Sequence, residues 1–335
     1  MKKYLIALLL IVLTLLPAGY SNAGRSDFGE IYSNGVPVFP DDEIVTGKTY
    51  WVSSTVGSAN NTGSDKDSPV ATIAQALAKC TASKGDVIYV MPYHTETVSA
   101  AGGIALNVAG VKIKGLGRGS ARPTITLGTS TAASITITAA DVSIENFIFK
   151  ANLDNIATVF TVSAKDATIK NNEFRDGSDA LHFLSCILTG TVDNGADGLT
   201  VIGNKRFGLA VAATAFVSML GNCDRMNLLW NVVVDAAATG DVGHFLIMAA
   251  KVATNAEIAY NKLILPAGAA IAVGMFMTGS ATTMTGVVHN NYVASVDTTA
   301  ALFCTATMTF GMFENYQTGV LANSGLVWPA ADTPS

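Results

Sequence analysis

Charge is what this sequence has least of. Asp, Glu, Lys and Arg make up 13% of its 335 residues, against 50% that are hydrophobic. So apolar a chain is not a disordered one, because disorder goes with low hydrophobicity and high net charge. The formal net charge of −5 supplies no basic footprint for nucleic acid. Cysteine is sparse as well. Cys80, Cys186, Cys223 and Cys304 stand far apart, with neither the density of a disulfide scaffold nor a CxxC metal spacing. Each has apolar neighbours and reads as a small buried hydrophobe; a disulfide among them in an oxidising compartment stays open. A long apolar run occurs at the N-terminus, where Lys2 and Lys3 precede the stretch Leu5 to Leu16 and Ser21-Asn22-Ala23 offers a cleavage site. That run is shorter than the roughly 20 residues a membrane-spanning helix needs. Residues 1–23 therefore read as a signal peptide, with an uncleaved anchor as the alternative. The expected mature chain is exported, to the periplasm, cell surface or exterior, and has no transmembrane span.

Helical periodicity is also scarce. Residues 24–48 carry the turn signals SNG, PDD and TGK and read as an extended N-terminal arm. YWVSS suggests a first strand and SANNTGSDKDSP a polar loop. The exception is SPVATIAQALAKC. Ser68 is placed to N-cap a helix, Pro69 suits its first turn, and Ile73, Leu77 and Cys80 share one face. The spacing predicts a helix over 69–80. From GDVIYVMP onward only short Val/Ile/Thr/Phe runs follow, separated by Gly, Asn and Asp.

What is present instead is a repeat. ATIKNNEF, LTVIGNKRF, MNLLWNVVV, AEIAYNKLI, TGVVHNNYV and GMFENYQ align on Asn172, Asn204, Asn231, Asn261, Asn290 and Asn315, at intervals of roughly 25 to 32 residues. Asn is depleted in strands. Strands without intervening helices at this period fit a β-helix or a propeller. In a parallel β-helix, equivalent residues stack at about 4.8 Å, and stacked amides can donate to and accept from one another. A propeller would not align a single Asn this way, and neither the WD nor the kelch signature occurs. The competing explanation places these asparagines in ordinary exposed turns.

The run YWVSSTVGS through NNTGSDKDSPVATIAQALAK to GDVIYVMPYHTETV, followed by VKIKGLGRGSARPTITL, resembles the opening of pectin-lyase-like right-handed parallel β-helix proteins. It also resembles β-helix proteins of unassigned role encoded by bacteriophages of environmental bacteria. The likeness extends over about 49–320 and is strongest over 49–175. It implies an all-β, single-stranded right-handed parallel β-helix with a short N-terminal capping helix; after Val320 the sequence itself offers no recognisable cap and reads as a C-terminal tail, 321–335. It does not imply one activity, since this fold hosts lyases, hydrolases, adhesins and tailspikes.

Glycoside hydrolysis needs two carboxylates at a fixed separation, and calcium-assisted elimination needs clustered carboxylates plus an Arg or Lys base. The hydrolase pattern implied by the resemblance is not present in full: Asp41-Asp42 precedes the coil and Gly243-His244-Phe245 lacks the second glycine. The densest polar stretch runs from Glu173 to Arg206, with Asp224 and Arg225 one repeat later. A lyase reading takes Arg175 or Arg225 as base and Asp176, Asp193 and Asp197 as sugar or calcium ligands; calcium is the one cofactor that enters, and only there. The competing reading is a polar loop cluster, with VDNGADG as turn chemistry. His94 reads as a surface turn residue, His289 as a packing or stacking residue, and Trp230 as core, flank or sugar-face residue.

Between Val232 and Ser335 only eight of 104 residues are charged. A solenoid flank that apolar predicts a covered surface. The favoured expectation is a non-catalytic structural or surface-binding protein, exported or virion-associated. It would form a homotrimer or larger array through its C-terminal half and contact cell-surface or extracellular polysaccharide. The alternative is a polysaccharide lyase or related enzyme acting through 173–225.

Overall fold

The repeat becomes a coil. The computed structural model describes residues 31–33, 36–38 and 45–335, except 210–212, 236–242, 266–274, 280–283, 296–302, 305–310, 319–324 and 328–335. The expected signal peptide at 1–23 therefore lies outside the described residues. In the N-terminal unit, Ile31–Ser33 pairs antiparallel with Val36–Val38, a hairpin within the expected arm. No helix among the described residues is long and apolar enough to cross a membrane.

From residue 46 onward the chain is a right-handed parallel β-solenoid. Among the described residues its first sheet has ten strands, from Thr49–Val52 to Gly311–Phe313. The second, also of ten, runs from Thr95–Val98 to Gly325–Val327, and the third, of seven, from Ile104–Leu106 to Met277–Gly279. Within a coil the strands alternate inward apolar and outward polar residues, as Thr168, Ile169 and Lys170 do on one strand. Register then stacks like on like. Ile113, Ile144, Ile169, Val201, Leu228, Ile258 and Val288 form one inward column of the first sheet, all buried. Aromatic rings add a second spine: Phe245 lies on Phe276 at 4.6 Å and 1°, and Phe276 on Phe303 at 4.6 Å and 20°.

The helix is shorter than its sequence suggests, spanning Ile73–Leu77. Thr72, not Ser68, is its N-cap, in a capping box with Gln75. The difference has a local cause. Val70 donates its N–H to Trp51 O at 2.9 Å and its carbonyl accepts from Ser53 N at 2.9 Å, so this stretch is held extended and cannot begin a helix. Cys80 consequently falls beyond the helix. Ile73, Ala76 and Leu77 bury against the first coils. At the other end, Gly325–Val327 folds back antiparallel onto Asn315–Gln317, so the expected C-terminal tail contains a strand.

First and second sheets meet at a two-residue corner. Its first residue is left-handed: Asn146, Asn171, Gly203, Trp230, Tyr260, Asn290 and Glu314 all have φ between 53° and 68°. Its second residue is fully buried: Phe147, then Asn172, Asn204, Asn231, Asn261, Asn291 and Asn315. Asn231 shows the pattern. Its Nδ2 donates to Val201 O at 2.8 Å, while its Oδ1 accepts Asn204 N at 3.0 Å. The amide is satisfied by the neighbouring coils, which is why Asn is tolerated inside a sheet protein. One expected rung needs correction: the ladder takes Asn291, whose Oδ1 accepts Asn261 N at 2.9 Å, not Asn290. Asn290 holds the left-handed position before it and points outward, donating to Glu314 Oε2 at 2.9 Å.

Candidate functional site

The five residues named for a lyase site are not brought together. Arg175 stands on the outer face of the second sheet, ion-paired with Glu173, which Arg122 also grips. Asp176, one residue on, turns inward, with Oδ1 accepting Phe183 N at 3.1 Å and Oδ2 accepting Leu209 N at 2.9 Å. Asp193, Asp197 and Arg225 lie instead on the turns that lead into the first sheet. There Asp193 pairs with Lys251 at 3.1 Å and Asp197 with Lys165 at 3.2 Å. Asp197 also accepts Asp224 N at 2.9 Å, and Arg225 meets Asp224 at 3.3 Å. The physical reason is the coil itself: Thr189 and Thr200 end and begin different sheets, so sequence proximity across that turn is not spatial convergence with Arg175. Among the described residues, no group of three or more His, Cys, Asp or Glu side chains is arranged to hold a metal.

Asp176 belongs to a different cluster that the sequence stretch concealed. Register places Phe149, Phe174, Arg206 and Val233 in one inward column, so a guanidinium occupies the rung above two phenylalanines. Arg206 is 1% exposed; its Nη2 reaches Phe183 O at 3.4 Å, and its Nε and Nη1 have no hydrogen-bond partner among the described residues. Its charge is balanced by Asp176 and Asp235, which flank the side-chain-free Gly208 on adjacent coils. Burial pushes the Asp176 carboxyl above its ordinary range, with Arg206 acting against that. Burial likewise pushes the Cys186 thiol up to about 12. Asp176 and Asp235 are buried with Arg206, at 7% and 3% exposure.

His94 also departs from expectation. It is 1% exposed rather than a surface turn residue, with Nε2 at 3.2 Å from Glu96 Oε2, and the same oxygen accepts the helix N–H of Ile73 at 3.1 Å. The pair fastens the capping helix to the coil.

The exposed chemistry lies at the corner beside the ladder. Along the first sheet's outer column, Lys114, Glu145 and Lys170 form an ion-paired row, at 3.2 and 3.6 Å. Register then continues it as Ile202, Leu229, Ala259, His289 and Phe313. The second sheet's matching column passes from Glu173 and Lys205 through Val232 and Lys262 to Tyr292 and Tyr316. Between the columns, on the corner, sit Trp230 and Tyr260, stacked at 4.2 Å and 5°. His289 stacks on Phe313 at 4.7 Å and 5°, and meets Tyr260 edge-on at 5.4 Å. Trp230 is 57% exposed, and Phe313 and Tyr316 48% each.

Two features make this corner more than scattered surface apolarity. Solenoid flanks are ordinarily polar, and these rings form one contiguous strip. In addition, Trp230 and Tyr260 occupy left-handed backbone at φ 58° and 59°, where the neighbouring coils place Gly203 and Asn290. Bulky residues pay about 1–2 kcal/mol there, and such strain concentrates at functional surfaces. The exposure of Trp230 overturns its reading as a core residue and leaves the flank and sugar-face readings standing; the strip as a whole has no short-range signal, because one aromatic per coil at changing offsets from the ladder has no short period. Alignment on the ladder asparagines is the signal that collects them.

No protein-family model matches the chain, and no curated protein matches it either. By its coils and ladder the chain is a parallel β-solenoid. Solved structures similar in fold include a pectin methylesterase in complex with a hexasaccharide, at TM-score 0.47 and 13% identity over 83% of this chain and 92% of that one. A pectate lyase aligns at TM-score 0.46 and 12% identity, over 84% of this chain and 78% of that one. A rhamnogalacturonan lyase aligns at TM-score 0.40 and 13% identity, over 82% and 90%.

Proposed function

We propose that the chain is an exported, surface-binding scaffold, on a cell surface or a virion, that associates with itself through its C-terminal half and contacts extracellular polysaccharide. One observation carries this reading: the outer columns beside the ladder, charged at Lys114, Glu145, Lys170, Glu173 and Lys205, become largely apolar and aromatic from Ile202 and Val232 onward, with Lys262 the charged exception. Exposed rings on regular, rigid coils suit a binding surface. Export is supported by the signal-peptide-like pattern of residues 1–23, with Lys2 and Lys3 ahead of an apolar run. The lyase alternative asks Arg175, Asp176, Asp193, Asp197 and Arg225 to serve one site, and their placement on separate turns favours the scaffold. The test is light scattering across a range of concentrations, alongside incubation with acidic and neutral polysaccharides with and without calcium. The scaffold reading expects association and retention on glycan without cleavage. Calcium-dependent release of unsaturated sugar would replace it with a lyase.

A further inference from the structure

The second sheet turns a face of one charge sign outward. Its outer column nearest the corner carries Glu173, Lys205 and Lys262, and its next outward column reads Lys150, Arg175, Phe207, Val234, Ile264 and Ala294. Among the described residues Glu173 is the one acidic side chain on either column, and Arg122 and Arg175 already hold it. Lys150, Arg175, Lys205 and Lys262 are all exposed, on a chain whose net charge is −5. We propose that this face rests on the headgroups of an anionic lipid membrane. The inference rests on the surface-binding part of the reading above and names the surface.

Lys150 and Lys262 stand four rungs apart. At about 4.8 Å per rung the four cations span roughly 19 Å along the coil. Between and beyond them the same columns expose Phe207, Ile264, Tyr292 and Tyr316. Cations interleaved with rings and aliphatic side chains suit a bilayer surface. Lys and Arg meet the headgroup phosphates, tyrosines lie at the boundary of water and lipid, and Phe and Ile enter it. An acidic polysaccharide carries the same charge, but its hydroxyls need matching donors and acceptors. Between Lys205 and Ala294 these columns supply two lysines and one tyrosine as polar groups, with no amide and no carboxylate. The apolar share of the face therefore favours lipid over glycan.

The experiment is co-sedimentation of the full chain with vesicles of phosphatidylglycerol and phosphatidylcholine in equal parts, and of phosphatidylcholine alone, across a range of salt. The variants are Phe207→Ser, the combined change Lys150→Gln, Lys205→Gln and Lys262→Gln, and the same three lysines changed to Arg. Circular dichroism checks that each folds, and all keep the N-terminus of the wild type, so differences among them report on this face. Wild type is expected to bind the anionic vesicles, to ignore the neutral ones and to be released as salt rises. The glutamine variant should bind about tenfold more weakly, Phe207→Ser should also bind more weakly, and the arginine variant should match wild type. No binding to anionic vesicles, or equal binding by wild type and the glutamine variant, overturns the proposal, as does equal binding to neutral vesicles. Retention on acidic polysaccharide with vesicles left unbound overturns it in favour of a glycan and leaves the surface-binding reading intact. A wild type that shows neither vesicle binding, glycan retention nor self-association overturns that reading as well.

Discussion

Asn204 donates its backbone N–H to Asn231 Oδ1 at 3.0 Å, and the two amides also bond directly at 3.1 Å. Replacing Asn231 by Ala leaves the Asn204 backbone N–H buried without its acceptor and removes a second donor from the Val201 carbonyl. Such an orphan costs about 1–3 kcal/mol, so urea unfolding should show a loss of that size. Asn290→Ala, on the exposed corner beside the ladder, should lose well under half of that. Equal losses at the two positions would remove the ladder as the explanation of the asparagine repeat.

Arg206 is the charge that makes Asp176 and Asp235 tolerable inside the coil. Removing one member of a buried ionic group typically costs about 3–5 kcal/mol. Arg206→Met should therefore destabilise by about that much, and adding Asp176→Asn and Asp235→Asn should recover part of the loss. Calorimetry on the single and triple variants checks the ordering. A triple variant less stable than Arg206→Met would mean that the aspartates are held chiefly by their backbone N–H donors.

Glu173 sets an acid limit. Burial acts to raise its carboxyl, but the hydrogen bonds from Arg175 and Arg122 outweigh it and the group sits below its ordinary value. A depressed carboxylate contributes stability above its unfolded value of about 4.3 and loses it as pH falls through the folded one. Glu173→Gln should accordingly lower the melting temperature at neutral pH and flatten its decline below about pH 4.3, so that variant and wild type converge in acid. An unchanged acid slope would show that the two arginines do not govern it.

The capping helix hangs on Glu96. Glu96→Ala removes the acceptor of Ile73 N–H and the partner of His94, a loss of about 1–2 kcal/mol. Amide exchange across Ile73–Leu77 should then quicken about 5- to 30-fold, with exchange in coils beyond Ile135 unaltered. Uniform acceleration along the whole chain would tie the helix to global unfolding instead.

All four cysteines are free thiols, and burial pushes Cys80, Cys186 and Cys223 up to about 12. Such thiols are poor nucleophiles near neutral pH. A thiol reagent should label native protein slowly and all four sites quickly in denaturant. Fewer than four reactive thiols after unfolding would reveal a disulfide.

Strand order was legible because backbone stacking writes itself into the sequence as a recurring asparagine. The error at Asn290 has the same origin. At Asn171-Asn172 and Asn290-Asn291 the doublet supplies both corner residues, and only the buried second one joins the ladder. The helix start was misplaced because Ser68 and Pro69 have good local propensity, whereas the pairing of Val70 with Val52 is a long-range contact that overrides it. His94 looked exposed because its turn context is polar, although its ring is covered by the docked helix region. The polar stretch 173–206 illustrates the converse limit. Its residues are close in sequence, yet Arg175 faces outward, Asp176 faces inward, and Asp193 and Asp197 belong to another edge of the coil.

The ladder corner holds two residues between sheets from Glu145–Ile148 to His289–Tyr292, whereas the links between Ala151 and Ile156 and between Asp235 and His244 differ in length. Insertions and deletions are thus channelled away from one edge of the molecule. A single residue added at the corner would rotate an amide out of its rung, while a whole coil can be gained or lost with every rung intact. Length in such a protein can drift by duplication, and the asparagine edge acts as the ruler that keeps each new turn in step.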